Sequence, residues 1–240
     1  MHNQLFLEKT PEHFLMIAID VAQKTVLVHE ILNQHYGVQA IYGRMDPMHE
    51  LIATVLSHRT THANEMTAYR TMMERFGSWE AIRDAPVAEL TEAIQTSNYP
   101  EVKAPWIKQI LARIIAERGE ANVDFLREMT TEEAMAWLTS LPGVGLKTAT
   151  LLLLFNFQKP VLPVDTHVHR VTQRLGIIGP KVSAEKAHGI LLAYLPQDAT
   201  VLFNFHKHFY WHGQRVCFWS FPACGQCVLR LQCDYFKKQA

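Results

Sequence analysis

Apolar residues recur three and four positions apart along nearly the whole chain, which is the spacing of amphipathic helices. One example is the face formed by Leu51, Ile52, Val55 and Leu56. No segment alternates apolar and polar residues strictly enough to predict a strand. The pattern therefore predicts an all-α fold of about ten short helices.

Residues that favour helix ends mark the predicted boundaries. Asp46 before Pro47 predicts an N-cap followed by proline in the first turn, and Thr130 with Glu133 predicts a capping box. Pro86 is expected to open a separate short helix. Gly213 is expected to end a helix over residues 199–212, because glycine often follows the last helical residue.

Composition excludes several classes of protein. The chain has 240 residues, of which 48% are hydrophobic and 19% charged, as in globular proteins rather than disordered or fibrous ones. No apolar run approaches the roughly 18 residues of a membrane span. The N-terminus has no basic segment leading into a long apolar one, so we expect a cytoplasmic protein without a secretion signal or a membrane partner.

Net charge gives no sign of a polyanion partner. Lysine and arginine total 23, and aspartate and glutamate also total 23. A strongly basic balance, which would favour nucleic acid, is absent. Any anionic partner must therefore be bound by a local patch or by helix N-termini.

The segment Leu-Pro-Gly-Val-Gly-Leu-Lys-Thr-Ala at 141–149 joins two predicted helices. Gly143 and Gly145 allow a tight turn and a close approach of a ligand to bare backbone. The free amides of the next helix could bind a phosphate there. A compact corner without a ligand is the alternative, since paired glycines are a weak signal.

Lys147 lies in the first turn of that second helix, where the helix dipole disfavours a cation. The position favours an unprotonated amine, the form that nucleophilic catalysis requires. Asp165 precedes another predicted helix and could face this amine across a cleft. The alternatives are a solvated surface lysine and a simple N-cap.

The four cysteines, Cys217, Cys224, Cys227 and Cys233, all lie near the C-terminus. Their spacing, Cys-x6-Cys-x2-Cys-x5-Cys, favours a [4Fe–4S] cluster held by one looping segment. Zinc and a disulfide pair stay open as alternatives, although zinc sites more often separate two Cys-x2-Cys pairs.

Taken together, these motifs resemble endonuclease III, of the helix-hairpin-helix–GPD class of DNA glycosylases. The matching segments are the 141–149 hairpin, Val-Asp-Thr-His-Val at 164–168, His212-Gly213 and the four-cysteine loop. The resemblance covers roughly residues 45–236. It implies two all-α domains with a DNA cleft between them: a six-helix domain over 45–159, and an iron–sulfur cluster domain formed by 1–44 and 160–240.

The resemblance also implies a function and the residues that perform it. The chain is expected to be a monomeric base-excision repair enzyme that acts on double-stranded DNA with a damaged base or an abasic site. Lys147 is the implied nucleophile and Asp165 the essential carboxylate of a bifunctional glycosylase and lyase, with oxidised pyrimidines as the expected substrates. The cysteines are the implied ligands of a [4Fe–4S] cofactor. DNA contacts are expected from Arg59, Gly143, Val144, Gly145, Thr148 and His167.

Other functions are compatible with the same motifs. A mismatch or uracil glycosylase with weak lyase activity is one alternative, and a non-catalytic lesion-binding protein is another. An electron carrier that uses the cluster would leave the hairpin unexplained.

The sequence departs from the family pattern in two places. Arg59 stands where the family usually has a glutamine that fills the gap left by the flipped base, and His62 stands where an acid is usual. Arg59 could hydrogen-bond the orphaned base, preferably guanine, or it could be a surface or phosphate contact. The loop over residues 218–223 is aromatic, whereas the family's loop is basic. Its rings are expected to form an apolar surface or to pack against the N-terminal helix.

Three histidines close together, His206, His208 and His212, could be read as a zinc site. Structural histidines beside the neighbouring aromatic residues are the favoured interpretation.

Overall fold

Helices account for all regular secondary structure in residues 20–43 and 45–239, which are the residues that the computed structural model describes. The twelve α-helices are α1 (Val21–Tyr36), α2 (Pro47–Ser57), α3 (His62–Phe76), α4 (Trp79–Asp84), α5 (Val87–Ala93), α6 (Pro100–Arg118), α7 (Thr131–Thr139), α8 (Leu146–Phe157), α9 (Thr166–Leu175), α10 (Ala184–Ala193), α11 (Ala199–Arg215) and α12 (Asp234–Lys237). Short 3-10 turns lie at Asp124–Arg127, Cys224–Gln226 and Arg230–Gln232. The all-α prediction is confirmed.

Most predicted helix starts are confirmed by their caps. The Asp46 carboxylate accepts a hydrogen bond from the Met48 amide, and Thr130 and Glu133 form the predicted capping box. Ala85 is extended because it precedes Pro86, and this break separates α4 from α5. Residues 45–159 consequently hold seven α-helices where the resemblance implies six.

The prediction that Gly213 ends its helix is wrong, because α11 continues to Arg215. A Cβ atom at position 213 would lie 2.7 Å from the Cβ of His167. Glycine is therefore needed here for the close approach of α9 and α11.

Helix α11 is central to the packing. It lies against α1, α8 and α9, and its rings Phe203, Phe205 and Phe209 are fully buried. Helices α8 and α9 also contact this core, which fixes where their N-termini point. Residues 1–19 and Arg44 of the predicted 1–44 segment lie outside the described residues, and the division into two domains stays a prediction.

No helix in the described part of the chain combines the length and the hydrophobicity needed to cross a membrane.

Candidate functional site

Lys147 and Asp165 line the same cleft. Lys147 lies in the first turn of α8 and Asp165 is the N-cap of α9. The cleft encloses about 1300 Å³, part of it open to solvent. Other lining residues include Tyr42, Thr54, Ser57, His167, His206 and Tyr210. The structure thus brings together the two residues that the sequence singles out for chemistry.

Asp165 acts as a helix cap and also lines the cleft. Its Oδ1 accepts hydrogen bonds from the amides of His167 at 2.9 Å and Val168 at 2.8 Å. Both bonds use one oxygen, so Oδ2 is left for a ligand in the cleft. The carboxylate is half-buried, and its orientation is fixed by the backbone of α9.

The absence of a side chain has a different consequence at each of the two hairpin glycines. Gly143 has a left-handed φ of 73°, and a Cβ there would lie 2.4 Å from the Trp106 ring. Gly145 has no atom within 4 Å of an added Cβ. It is the N-cap of α8 and provides no side-chain cap, so the first amides of α8 face open space. This arrangement can bind an anion.

Two of the predicted DNA contacts in the hairpin, Val144 and Thr148, have buried side chains. The Val144 amide donates to Leu141 O at 3.2 Å, and its side chain is buried. The Thr148 side chain is buried too, and its hydroxyl lies 3.1 Å from Nε2 of His58. Of these two residues, only Thr148 lies in the first turn of α8, and the DNA contacts of both stay a prediction.

Two histidines beside the cleft are held neutral. Burial, together with the nearby Lys147 and Lys103, lowers the pKa of His58 to about 4. Burial also lowers the pKa of His206, although Asp165 opposes this shift. The Nδ1 of His206 donates to Pro163 O at 3.0 Å, because a carbonyl can only accept. His206 therefore presents an imidazole without charge to the cleft.

His167, a predicted DNA contact, is held in the cleft wall from several sides. Arg170 donates to its Nδ1 at 3.1 Å and to Gly213 O at 2.8 Å. The ring meets Tyr210 edge-on, with centroids 5.2 Å apart. Because Nδ1 accepts, Nε2 carries the proton and can donate to a ligand.

Arg59 lies on an exposed turn just beyond α2, next to cleft residues Thr60 and Thr61. It is not itself a lining residue. Its φ is 52°, a left-handed value that is unusual for arginine. Its guanidinium lies 5.9 Å from the ring centroid of Tyr99, which also has a left-handed φ, of 60°. Sequence reasoning missed Tyr99, because only the packing of α6 brings it beside Arg59.

Sequence reasoning also missed two carboxylates in the cleft wall. Glu50 on α2 and Glu65 on α3 are buried and line the cleft. His62 Nδ1 lies 3.3 Å from Glu65 Oε2. The signal in the sequence was that each glutamate interrupts a helix face that is otherwise apolar. Charged residues are seldom buried without a partner, so a glutamate on such a face indicates a polar site.

The four cysteines line one cavity of about 300 Å³, together with Arg174 and Arg230. All four are free thiols, so the disulfide alternative is not what this structure contains. Arg174 donates to the Cys217 sulfur at 3.2 Å. No three candidate ligands within the described ranges are close enough to hold a single metal ion. Four thiols around one cavity are the donor set of a [4Fe–4S] cluster, in which each thiolate would bind a different iron.

The aromatic loop between Cys217 and Cys224 is exposed. The exposed fraction is 75% for Trp219 and 95% for Phe221, so these rings form an apolar surface, with the Arg170 guanidinium on α9 lying 5.7 Å from the Trp219 ring centroid. Arg174 holds the loop from behind through the carbonyls of Phe218 and Trp219.

The histidines of α11 have separate structural partners. His206 bonds Pro163 O, His208 bonds Gly37 O at 3.0 Å, and His212 lies 3.3 Å from the Tyr36 hydroxyl. These contacts agree with the structural interpretation rather than with a shared zinc site.

Comparison with known proteins places these features in a wider context. A family model described as "HhH-GPD superfamily base excision DNA repair protein" matches residues 52–197. Endonuclease III of Thermotoga maritima is 32% identical over 194 residues, which cover 81% of this chain and 85% of that protein. Endonuclease III of Sulfolobus acidocaldarius is 30% identical, covering 78% and 81%.

Solved structures show the same likeness. A trapped endonuclease III–DNA covalent intermediate has a TM-score of 0.77 and 26% identity, covering 91% of this chain and 98% of that one. A thermostable thymine-DNA glycosylase has a TM-score of 0.73 at 20% identity, covering 90% and 98%, and shares the fold.

Proposed function

The chain belongs to the HhH-GPD superfamily of base excision DNA repair proteins, and on this premise we propose that it is a bifunctional DNA glycosylase and abasic-site lyase that removes oxidised pyrimidines. The observation that carries the proposal is the shared cleft of Lys147 and Asp165. Together, these two residues can present a nucleophile and a fixed negative charge to the same substrate. Glycosylase activity needs only the charge, whereas lyase activity needs the amine.

The reaction begins with extrusion of the damaged base into the cleft. A damaged base is the least stably stacked, so its extrusion costs least. The Lys147 nitrogen attacks C1′ of the sugar, the C1′–N bond breaks with its electrons leaving on the base, and the base takes up the proton that the lysine nitrogen releases. The Asp165 carboxylate stabilises the positive charge that develops on the sugar.

Strand cleavage then follows from the covalent bond to Lys147. The lone pair of the attached nitrogen opens the sugar ring at the C1′–O4′ bond, and O4′ takes a proton from solvent to become a hydroxyl. The resulting protonated Schiff base acidifies the C2′ protons, and loss of one of them expels the 3′ phosphate by β-elimination. The first amides of α8 are placed to bind a backbone phosphate beside the lesion. The His167 Nε2–H offers a second donor on the same wall.

We also propose that Cys217, Cys224, Cys227 and Cys233 hold a [4Fe–4S] cluster. The shared cavity of about 300 Å³ and the Arg174 hydrogen bond to sulfur support this assignment. Such a cluster supplies redox chemistry or structural cross-linking when it is bound. The residues that act on the sugar belong to a different cavity.

Borohydride trapping tests the lyase proposal and identifies the lysine. The substrates are duplexes with thymine glycol, dihydrouracil, uracil, a G·T mismatch or an abasic site. We expect wild type to trap on the oxidised pyrimidines and the abasic site, and Lys147→Gln to lose trapping and strand cleavage while keeping duplex affinity.

Lys207→Gln is the matched control, because Lys207 lines the same cleft and lies over the rings of Tyr42 and Trp211. Trapping that survives in Lys147→Gln and disappears in Lys207→Gln would transfer the role to Lys207. Base removal from uracil or G·T alone, with no trapping, would support the monofunctional alternative.

A further inference from the structure

A buried lysine on α6 connects the two turns that carry Arg59 and Tyr99. The Lys103 side chain is almost fully buried. Its Nζ donates to Leu56 O at 2.9 Å and His58 O at 2.7 Å. It also reaches Thr60 Oγ1 at 3.1 Å and Ser97 Oγ at 2.8 Å. The three N–H groups of one ammonium thus share four acceptors, which lie at the end of α2 and in both turns.

The backbone of Lys103 completes this connection. Its amide donates to Tyr99 O at 3.1 Å, so the backbone holds one turn while the side chain holds the other. Asn98 adds a second link, because its side chain bonds Arg59 O and its amide donates to Thr60 Oγ1 at 3.0 Å. The two turns thus form one hydrogen-bonded unit.

The position of Lys103 is unfavourable for its own helix. It lies in the first turn of α6, where the dipole disfavours a cation. The same ammonium is favourable at the C-terminal end of α2, whose last carbonyls it binds. Its placement is therefore explained by the turn that follows α2.

The turn that carries Arg59 must be held in its conformation by neighbouring groups. Arg59 and Tyr99 both have left-handed φ values, and side chains persist in such conformations only when the surroundings determine them. Both residues are exposed beside the cleft, and their side chains are in contact.

We propose that Lys103 is a positioning residue that locks these two turns so that Arg59 and Tyr99 meet the DNA duplex as one rigid pair. This inference rests on the proposed function. The lock directs Arg59 at the base opposite the lesion and so sets the opposite-base preference. Lys103 itself does not touch the substrate.

Lys108 offers a matched control on the same helix. Its Nζ binds the carbonyls of Arg83 and Ala85 at the end of α4, so Lys108→Met removes the same kind of interaction away from the Arg59 turn. The probe is a duplex with a tetrahydrofuran abasic analogue opposite 2-aminopurine, whose fluorescence rises when that base is unstacked. This binding measurement requires no catalysis.

We expect wild type to raise the fluorescence on binding, and Lys103→Met to lower that rise at least threefold. Arg59→Ala should lower it similarly, and adding Arg59→Ala to Lys103→Met should have little further effect. Lys108→Met should behave as wild type. In single-turnover base removal, a preference for guanine over adenine opposite the lesion, about tenfold if Arg59 makes a bidentate contact, should disappear in Lys103→Met.

Thr60→Val provides a milder release of the same turn if Lys103→Met folds poorly, and it should reduce the fluorescence rise in the same direction. Equal responses of the Lys103 and Lys108 variants, or fully additive effects of Lys103→Met and Arg59→Ala, would overturn the positioning role. A wild type that does not bind the abasic duplex would instead overturn the proposed function.

Discussion

Asp165 caps α9 and also carries a negative charge in the cleft, and a single substitution separates these two roles. Asparagine is as good an N-cap as aspartate and can accept both amide bonds through Oδ1. Asp165→Asn should therefore leave the melting temperature nearly unchanged while slowing base removal about a hundredfold or more, as is typical when one stabilising interaction with developing charge is lost. Cleavage at a preformed abasic site should fall less.

Asp198→Asn is the control for this prediction, because Asp198 caps α11 through the Val201 amide at 2.9 Å and does not line the cleft. Single-turnover rates and thermal melts measure both variants. Equal losses in base removal and abasic cleavage, accompanied by unfolding, would reduce Asp165 to a cap.

The hairpin before α8 contains two glycines whose replacement by alanine should affect different properties, stability in one case and DNA affinity in the other. Gly143→Ala should destabilise the fold by about 2–4 kcal/mol, from left-handed strain and overlap with Trp106. Gly145→Ala should change stability by less than about 0.5 kcal/mol and weaken affinity for abasic duplex, since its methyl group enters the space in front of the α8 amides. Urea denaturation and fluorescence anisotropy distinguish the two. Unaltered affinity in Gly145→Ala would place the phosphate elsewhere.

The cysteine loop predicts how much iron the purified protein contains. Protein purified without oxygen should contain about four irons per chain, as measured by plasma mass spectrometry. Cys224→Ser should lower that content, whereas Ser220→Ala, within the same loop, should not. Stoichiometric zinc without iron would contradict the cluster assignment.

At the scale of the whole molecule, buried histidines between α1 and α11 predict acid sensitivity. Burial, aided by His208, lowers the pKa of His29 to about 4. Between its ordinary value of 6.5 and this value, the unfolded chain binds a proton that the folded chain does not. Stability is therefore full above pH 6.5 and falls as pH drops towards 4, by up to roughly 3 kcal/mol for this group.

Urea denaturation between pH 4.5 and 7 measures this effect. His29→Leu should flatten the pH dependence, whereas His35→Leu, at an exposed site on the same helix, should not. An equal slope in wild type and His29→Leu would assign the acid sensitivity to other groups.

The helices could be predicted from sequence because their signals are local, and the same holds for the motifs that carry Lys147 and Asp165, whose roles stay a prediction. Caps such as Asp46 and Thr130 act within one turn, and Lys147 and Asp165 lie in short motifs. The role of Lys103 could not be predicted, because its acceptors lie more than 40 residues away in the chain for Leu56, His58 and Thr60. Burial of Glu50 and Glu65 likewise depends on how α2 and α3 face the cleft.

Gly213 shows how this fold trades stability for the shape of its site. Alanine would favour the interior of α11 by roughly 1 kcal/mol over glycine, yet its methyl group would collide with His167. Because overpacking typically costs about 1–3 kcal/mol, Gly213→Ala should not gain thermal stability, and it should displace a side chain from the cleft wall. The residue of α11 with the lowest helix propensity therefore stands at the point where α9 and α11 nearly touch, and the wall of the cleft depends on the missing side chain.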